Sequence, residues 1–259
     1  MKNHNHTFAG WIFGQTLACG ICISCLASAV VGSYFQSGVD AYNKAEYASA
    51  IESFRKAVSL QPAPGTLQNL GNAEWQSGGT GRAILAWEQS LWLDPFNDAA
   101  RNNLRFARKA AQIEAPDYAW YEVVSAWLPV NWWAGMAGLS LWLAVGTVVL
   151  PGILRWRKAT WHQAIAAFGL MVFLLTLPAH WGVHTRMRIG FVLDKNTPLR
   201  LTPTEEAQYL THLASGEPVR CEAMRGKYLL IRTGSQALRG WVEAKQVGTL
   251  CSTAETASN

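Results

Sequence analysis

Small and large apolar positions recur between residues 34 and 97 with a spacing of thirty-three. Gly38, Ala50, Ile51, Phe54, Leu60 and Pro62 are echoed by Gly71, Ala83, Ile84, Trp87, Leu93 and Pro95. A period in the low thirties predicts paired helices stacked on their neighbours, since a lone pair cannot bury its apolar face from both sides. Gly38 and Ala50 sit where two helices must approach closely. Phe54 and Ala57 face inward one turn apart, and Pro62 stops the second helix. Residues 98–111, with Asn103-Leu104 and Ala107, read as a further helix that caps the stack.

Two other patterns follow. Residues 132–154 and 162–183 are apolar runs free of Asp, Glu, Lys and Arg, each near the length that crosses a bilayer. They enclose Arg155-Trp156-Arg157-Lys158, and such a basic loop (155–161) predicts a cytoplasmic side. Arg186 and Arg188 argue weakly for the opposite orientation. Residues 8–31 form another uncharged run, readable as a secretory signal with Ala27-Ser28-Ala29 as its cleavage site, or as an uncleaved membrane anchor. Both readings stay open, and either exports the repeat segment (32–115). Residues 116–131, rich in Trp and Tyr, read as an interfacial linker at headgroup level. After residue 189 the period changes to two. Runs at 191–193, 198–200, 218–221, 228–231 and 240–242 predict five short strands curled into a small barrel over 189–250, followed by a tail (251–259).

Composition agrees with a membrane protein carrying water-exposed parts. Half of the residues are apolar, only 15% are charged, and there are 13 tryptophans. The net charge of +5 is not a nucleic-acid signal, because residues 34–115 carry as many acids as bases and no basic stripe with interleaved aromatics occurs. Cys19, Cys22 and Cys25 have a metal-like spacing, but they lie inside an apolar run without a fourth ligand and read as small hydrophobes. Thr16 stands where a large aliphatic residue is expected, which argues against a lipoprotein site at Cys19. His180 and His184 share a helix face without a third ligand. No phosphate loop, serine elbow or zinc-protease motif occurs, so the expectation is a non-enzyme without cofactor or metal.

The second repeat, Asn69-Leu70-Gly71-Asn72-Ala73 through Leu93-Asp94-Pro95, resembles the tetratricopeptide repeat. The units cover about residues 31–64 and 64–97. The resemblance implies a concave peptide-binding groove formed by Tyr42, Asn43, Asn72, Trp75, Gln76 and Asn102. Asparagine there can hold a peptide backbone with both its donor and its acceptor. Leu199-Arg200, Pro203, Leu213-Ala214-Ser215-Gly216 and Gly240-Trp241-Val242 resemble the bacterial SH3-like (SH3b) domain. That resemblance implies a core or groove built on Leu199, Arg200 and Trp241, and peptidoglycan as a candidate ligand. In an oxidising compartment, Cys221 and Cys251 are candidates for a disulfide.

The expected fold is therefore a multi-domain membrane protein: an all-α repeat segment, a transmembrane helical hairpin and a small all-β SH3-like barrel. That order resembles the BatE-type proteins of bacterial aerotolerance operons. The resemblance implies an inner-membrane scaffold with repeats and barrel in the periplasm. Its implied partners are von Willebrand A-type membrane proteins of the same operon and the lipid bilayer, and its implied role is in envelope or oxidative-stress tolerance.

Overall fold

The computed structural model describes residues 28–155, 160–234 and 238–251. The first apolar run up to residue 27, with its three cysteines, lies outside the described residues, as do residues 156–159 of the basic loop and the tail beyond residue 251.

Helix α1 (residues 28–43) packs on α2 (Tyr47–Leu60), and α3 (Pro64–Gln76) on α4 (Thr80–Leu93). Helix α5 (Asp98–Ala111) follows. The thirty-three-residue echo has a direct physical cause. A Cβ on Gly38 would lie 2.6 Å from the Phe54 ring, and one on Gly71 would lie 2.5 Å from Trp87 Nε1. Each aromatic ring fills the space that its glycine leaves open. Helix α5 starts at Asn97, whose Oδ1 accepts from Ala100 N at 3.1 Å, with Asp98 in its first turn and Arg108 and Lys109 in its last.

Two ion pairs with buried carboxylates join successive helix pairs. Arg55 of α2 meets Glu74 of α3, and Glu88 of α4 meets Arg108 of α5. Their polarity is reversed from one interface to the next.

Helix α6 (Trp120–Ser125) leads into α7 (Val130–Ile153) and α8 (Thr160–Arg186). Both of these long helices are apolar enough to cross a membrane, and only 17% of their most apolar windows is buried. They form a hairpin whose close approach rests on Gly169, where a Cβ would stand 2.8 Å from Ser140 O. Gly182 does the same for α6, with Tyr121 O 2.1 Å from a would-be Cβ.

The sheet that follows contains β1 (Ile189–Val192), β2 (Thr197–Arg200), β3 (Tyr209–Leu213), β4 (Pro218–Arg225), β5 (Tyr228–Thr233), β6 (Arg239–Glu243) and β7 (Val247–Thr249). Its order is β3-β2-β6-β5-β4-β1-β7, and each pairing is antiparallel. All seven strands contribute to one core of Val192, Leu199, Leu213, Val219, Ile231, Val242 and Val247, so the sheet is strongly coiled. Seven strands replace the five expected. The extra β3 has little inward alternation to reveal it, and β7 is only three residues long.

Repeats, hairpin base and sheet share one core. Ile84, Trp87 and Trp92 of α4 cluster with Leu104 of α5, Trp133 of α7, Val183 of α8, and Ile189 and Phe191 of β1. Trp133 and Val183 lie in the same cluster, so the helical stack and the sheet both stand at one end of the hairpin. Gly81 N donates to Ser215 Oγ at 2.9 Å, and a Cβ on Gly81 would lie 2.3 Å from Val192 O. Arg82 pairs with Asp194 at 2.9 Å, and Gln89 Nε2 donates to Thr249 O at 3.0 Å. Arg186, buried at the end of α8, lies 4.9 Å from the Trp92 ring and 5.7 Å from that of Tyr118. Burial, with Glu88 nearby, pushes the Tyr118 hydroxyl pKa well above its ordinary value.

Candidate functional site

The stacking of helix pairs opens a groove of about 290 Å³ lined by Tyr42, Asn72, Trp75, Gln76, Trp87, Asn103 and Phe106. These residues come from α1, α3, α4 and α5, so one surface crosses the whole stack. None of them is charged. Trp75 stands edge-on to Phe106 with ring centroids 5.9 Å apart and lies 6.1 Å from Trp87. Phe106 is 64% exposed, an unusual state for a phenylalanine packed on an indole.

Asn72 is the organising residue. Its Oδ1 accepts from Trp87 Nε1 at 3.1 Å and from Asn103 Nδ2 at 2.7 Å. The acceptor side of Asn72 is thus spent inside the protein, leaving its Nδ2 donor, the Asn103 Oδ1 acceptor and the Gln76 amide toward the groove. Tyr42, Asn72, Trp75 and Gln76 meet there as the sequence suggests. Asn43 and Asn102 are exposed and do not line it. Leu70 and Ala73 correspond in burial to Leu104 and Ala107, an offset of thirty-four, which makes Phe106 the equivalent of Asn72. Asn102 corresponds to Gln68, which does not line the groove either. Reading α5 by its buried alanine and leucine would have found Phe106.

No family model matches the chain, and no curated protein matches it.

The sheet divides the three residues expected to act together. Leu199 is fully buried in the core. Arg200 and Trp241 are cross-strand partners on the opposite face, where the Arg200 guanidinium lies 5.6 Å from the Tyr209 ring and 5.7 Å from that of Tyr228. Trp241 is half-buried there, outside the core. The alternation of β6 explains this, because Gly240 and Val242 take the inward positions and Gly240 leaves room for Leu199.

The disulfide between Cys221 and Cys251 does not form; both are free thiols. Strand β1 lies between β4, which carries Cys221, and β7, which leads to Cys251. Two strand spacings, roughly 9.5 Å, then separate them, beyond the reach of about 7 Å for a disulfide. Burial pushes the Cys221 thiol up to about 11. It also raises that of Cys251, opposed by Arg186. Neither is a ready nucleophile at neutral pH.

His180 Nδ1 lies 3.0 Å from Thr176 O, a bond within its own helix. A second cleft, of about 480 Å³, separates Gln112–Ala115 from Ala214, Glu217 and Pro218 of the sheet. Its lining mixes carboxylates with backbone and brings no aromatic platform.

Proposed function

We propose that the protein is a non-catalytic membrane-anchored scaffold that holds a partner protein in the groove of its helical repeats. The observation that carries this reading is the exposed Phe106 beside Trp75, Asn72 and Gln76 in one open, uncharged groove. An apolar side chain laid against the exposed Phe106 ring would gain burial, and the free amide groups match the donor and acceptor of a passing peptide backbone. In this reading the helical stack is a short tetratricopeptide array and the coiled sheet an SH3b-like domain. Helices α7 and α8 span the inner membrane, and both water-exposed modules face the periplasm. The partner is a neighbouring membrane protein, of von Willebrand A type by resemblance, in a complex serving envelope or oxidative-stress tolerance. The shared core supports a scaffold role, since it holds the groove at a fixed position relative to the hairpin.

A second reading has the protein hold peptidoglycan through the outer face of the sheet. It is favoured by Trp241, which stands off the core beside Arg200. Full-length protein carrying Trp75→Ala with Phe106→Ala, or Trp241→Ala, separates the two. The scaffold reading expects the groove variant to lose its membrane partner in co-purification while Trp241→Ala keeps it. Retention on purified cell wall that depends on Trp241 but not on the groove would support the second reading against the first.

A further inference from the structure

The last turns of α8 carry a gradient that the protein-binding reading does not use. Ala179, Gly182, Val183 and Arg186 are buried against α6 and the repeat stack. The opposite face presents Leu170, Leu174 and Leu177, which are 49%, 52% and 47% exposed. Continuing along the same face come exposed Trp181 and His184, and then exposed Arg188 in the turn that ends the helix. One strip therefore runs from hydrocarbon to indole to imidazole to guanidinium.

Trp181 and His184 touch, with ring centroids 6.3 Å apart. Among the described residues, no carboxylate pairs with Arg188. Its main chain is nevertheless fixed, because Arg188 N donates to Thr185 O at 3.1 Å and Arg188 O accepts from Cys221 N at 2.7 Å. Trp120, Trp127 and Trp132, each more than 60% exposed, stand at the same end of the hairpin. Tryptophans collect where hydrocarbon meets headgroups, so this ring marks the height of the lipid phosphates.

We infer that the strip Leu170–Leu174–Leu177–Trp181–His184–Arg188 is a binding site for one anionic phospholipid. The inference rests on reading α7 and α8 as membrane spans. An acyl chain lies along the leucines, the glycerol region meets Trp181, and the phosphate accepts hydrogen bonds from Arg188 and His184. Arginine suits this place, because its planar fork donates two parallel bonds to a phosphate and is lightly hydrated. The exposed, unpaired cation favours a headgroup of net negative charge over a zwitterionic one. A bound lipid would also cover the side of α8 away from α6 and steady the hairpin under the repeats.

The test uses full-length protein, purified in detergent and stripped of lipid. It is titrated with phosphatidylglycerol or phosphatidylcholine, and bound lipid is counted by native mass spectrometry. The expected result is tighter retention of phosphatidylglycerol, weakened about fivefold by Arg188→Gln, the factor for one basic residue near an anionic surface. His184→Gln combined with Arg188→Gln weakens it further, and an unchanged melting temperature shows that the variants are folded. Equal retention of both lipids, or equal retention by the variants, would each overturn the inference. Recovery of the protein in a carbonate wash without detergent would instead overturn the membrane spans themselves, and is read separately.

Discussion

Glu122 of α6 and Arg220 of β4, ninety-eight residues apart, form a two-pronged pair with Nη1–Oε1 at 2.9 Å and Nη2–Oε2 at 2.7 Å. The carboxylate is fully buried, while the arginine side chain is 39% exposed. Arg220 also donates to Asp117 O at 2.7 Å, and Glu122 Oε2 accepts from Ala119 N at 2.9 Å. A single carboxylate thus ties linker, hairpin base and sheet together. Burial works against its ionisation, but the bonds from Arg220, Ala119 and Thr185 outweigh that, and the pKa lies below the ordinary carboxylate value.

This pair gives a signed pH dependence. A depressed carboxyl pKa contributes stability that is fully present above the unfolded value of about 4.3 and is lost as pH falls through the lower folded value. Melting temperatures measured from neutral to acid pH should therefore fall more for the wild type than for Glu122→Gln. Parallel curves would show that the pair carries no such linkage. Arg220→Ala leaves a buried charge unpaired and should cost about 1–3 kcal/mol, reduced from the fully buried case because the arginine is partly in water.

Gly71→Ala inserts a methyl group against the Trp87 ring, which is buried and cannot swing away. Alanine gains about 1 kcal/mol in helix propensity, but the clash should outweigh it and destabilise by about 1–3 kcal/mol. Trp87→Leu should recover much of the loss in a double variant. Additive effects of the two changes in denaturant titrations would contradict the ring-in-glycine account.

The two ion pairs have opposite polarity at successive interfaces, so a charge swap at one of them tests whether it specifies the contact. Glu74→Arg alone faces Arg55 with a like charge and should destabilise, whereas Arg55→Glu with Glu74→Arg should restore most of the stability. Glu74 is buried but Arg55 is largely in water, so the single change should cost about 1–2 kcal/mol. A coupling near zero in the double-mutant cycle would show that the pair does not specify the interface.

Gly81→Ala places a Cβ against the carbonyl oxygens of Val192 and Leu193, which are main-chain atoms and cannot yield cheaply. The sheet should loosen from the repeats while its own core stays folded. Hydrogen exchange would show faster exchange at Gly81 and along β1, with Ile231 and Val242 still protected. Uniform loss of protection through the sheet would mean that the two modules unfold as one unit.

Much of this architecture is legible in the sequence where a local rule forces it. The Gly38–Phe54 and Gly71–Trp87 pairs repeat because close helices need one small and one large partner, and the two apolar helices follow from length and lack of charge. Strand β3 was not legible, since Tyr209, Leu210 and His212 are all exposed and leave no alternation to read. The groove was legible through Asn72 and Trp75. Phe106 was not, because the link between α4 and α5 shifts the period by one and makes Phe106, not Arg105, the equivalent of Asn72. The docking of Gly81 on Val192 O has no local signature, because it depends on backbone atoms more than one hundred residues apart.

The central claim is that the Trp75–Phe106 groove holds a partner protein. Its most direct test replaces Phe106 with a photo-crosslinking phenylalanine in the full-length protein in living cells. Phe96, equally exposed at 63% but outside the groove, serves as the comparison. The account predicts a discrete adduct to another membrane protein from position 106, absent from position 96 and lost when Trp75 is changed to alanine. No adduct at 106, or the same adducts from both positions, would contradict it.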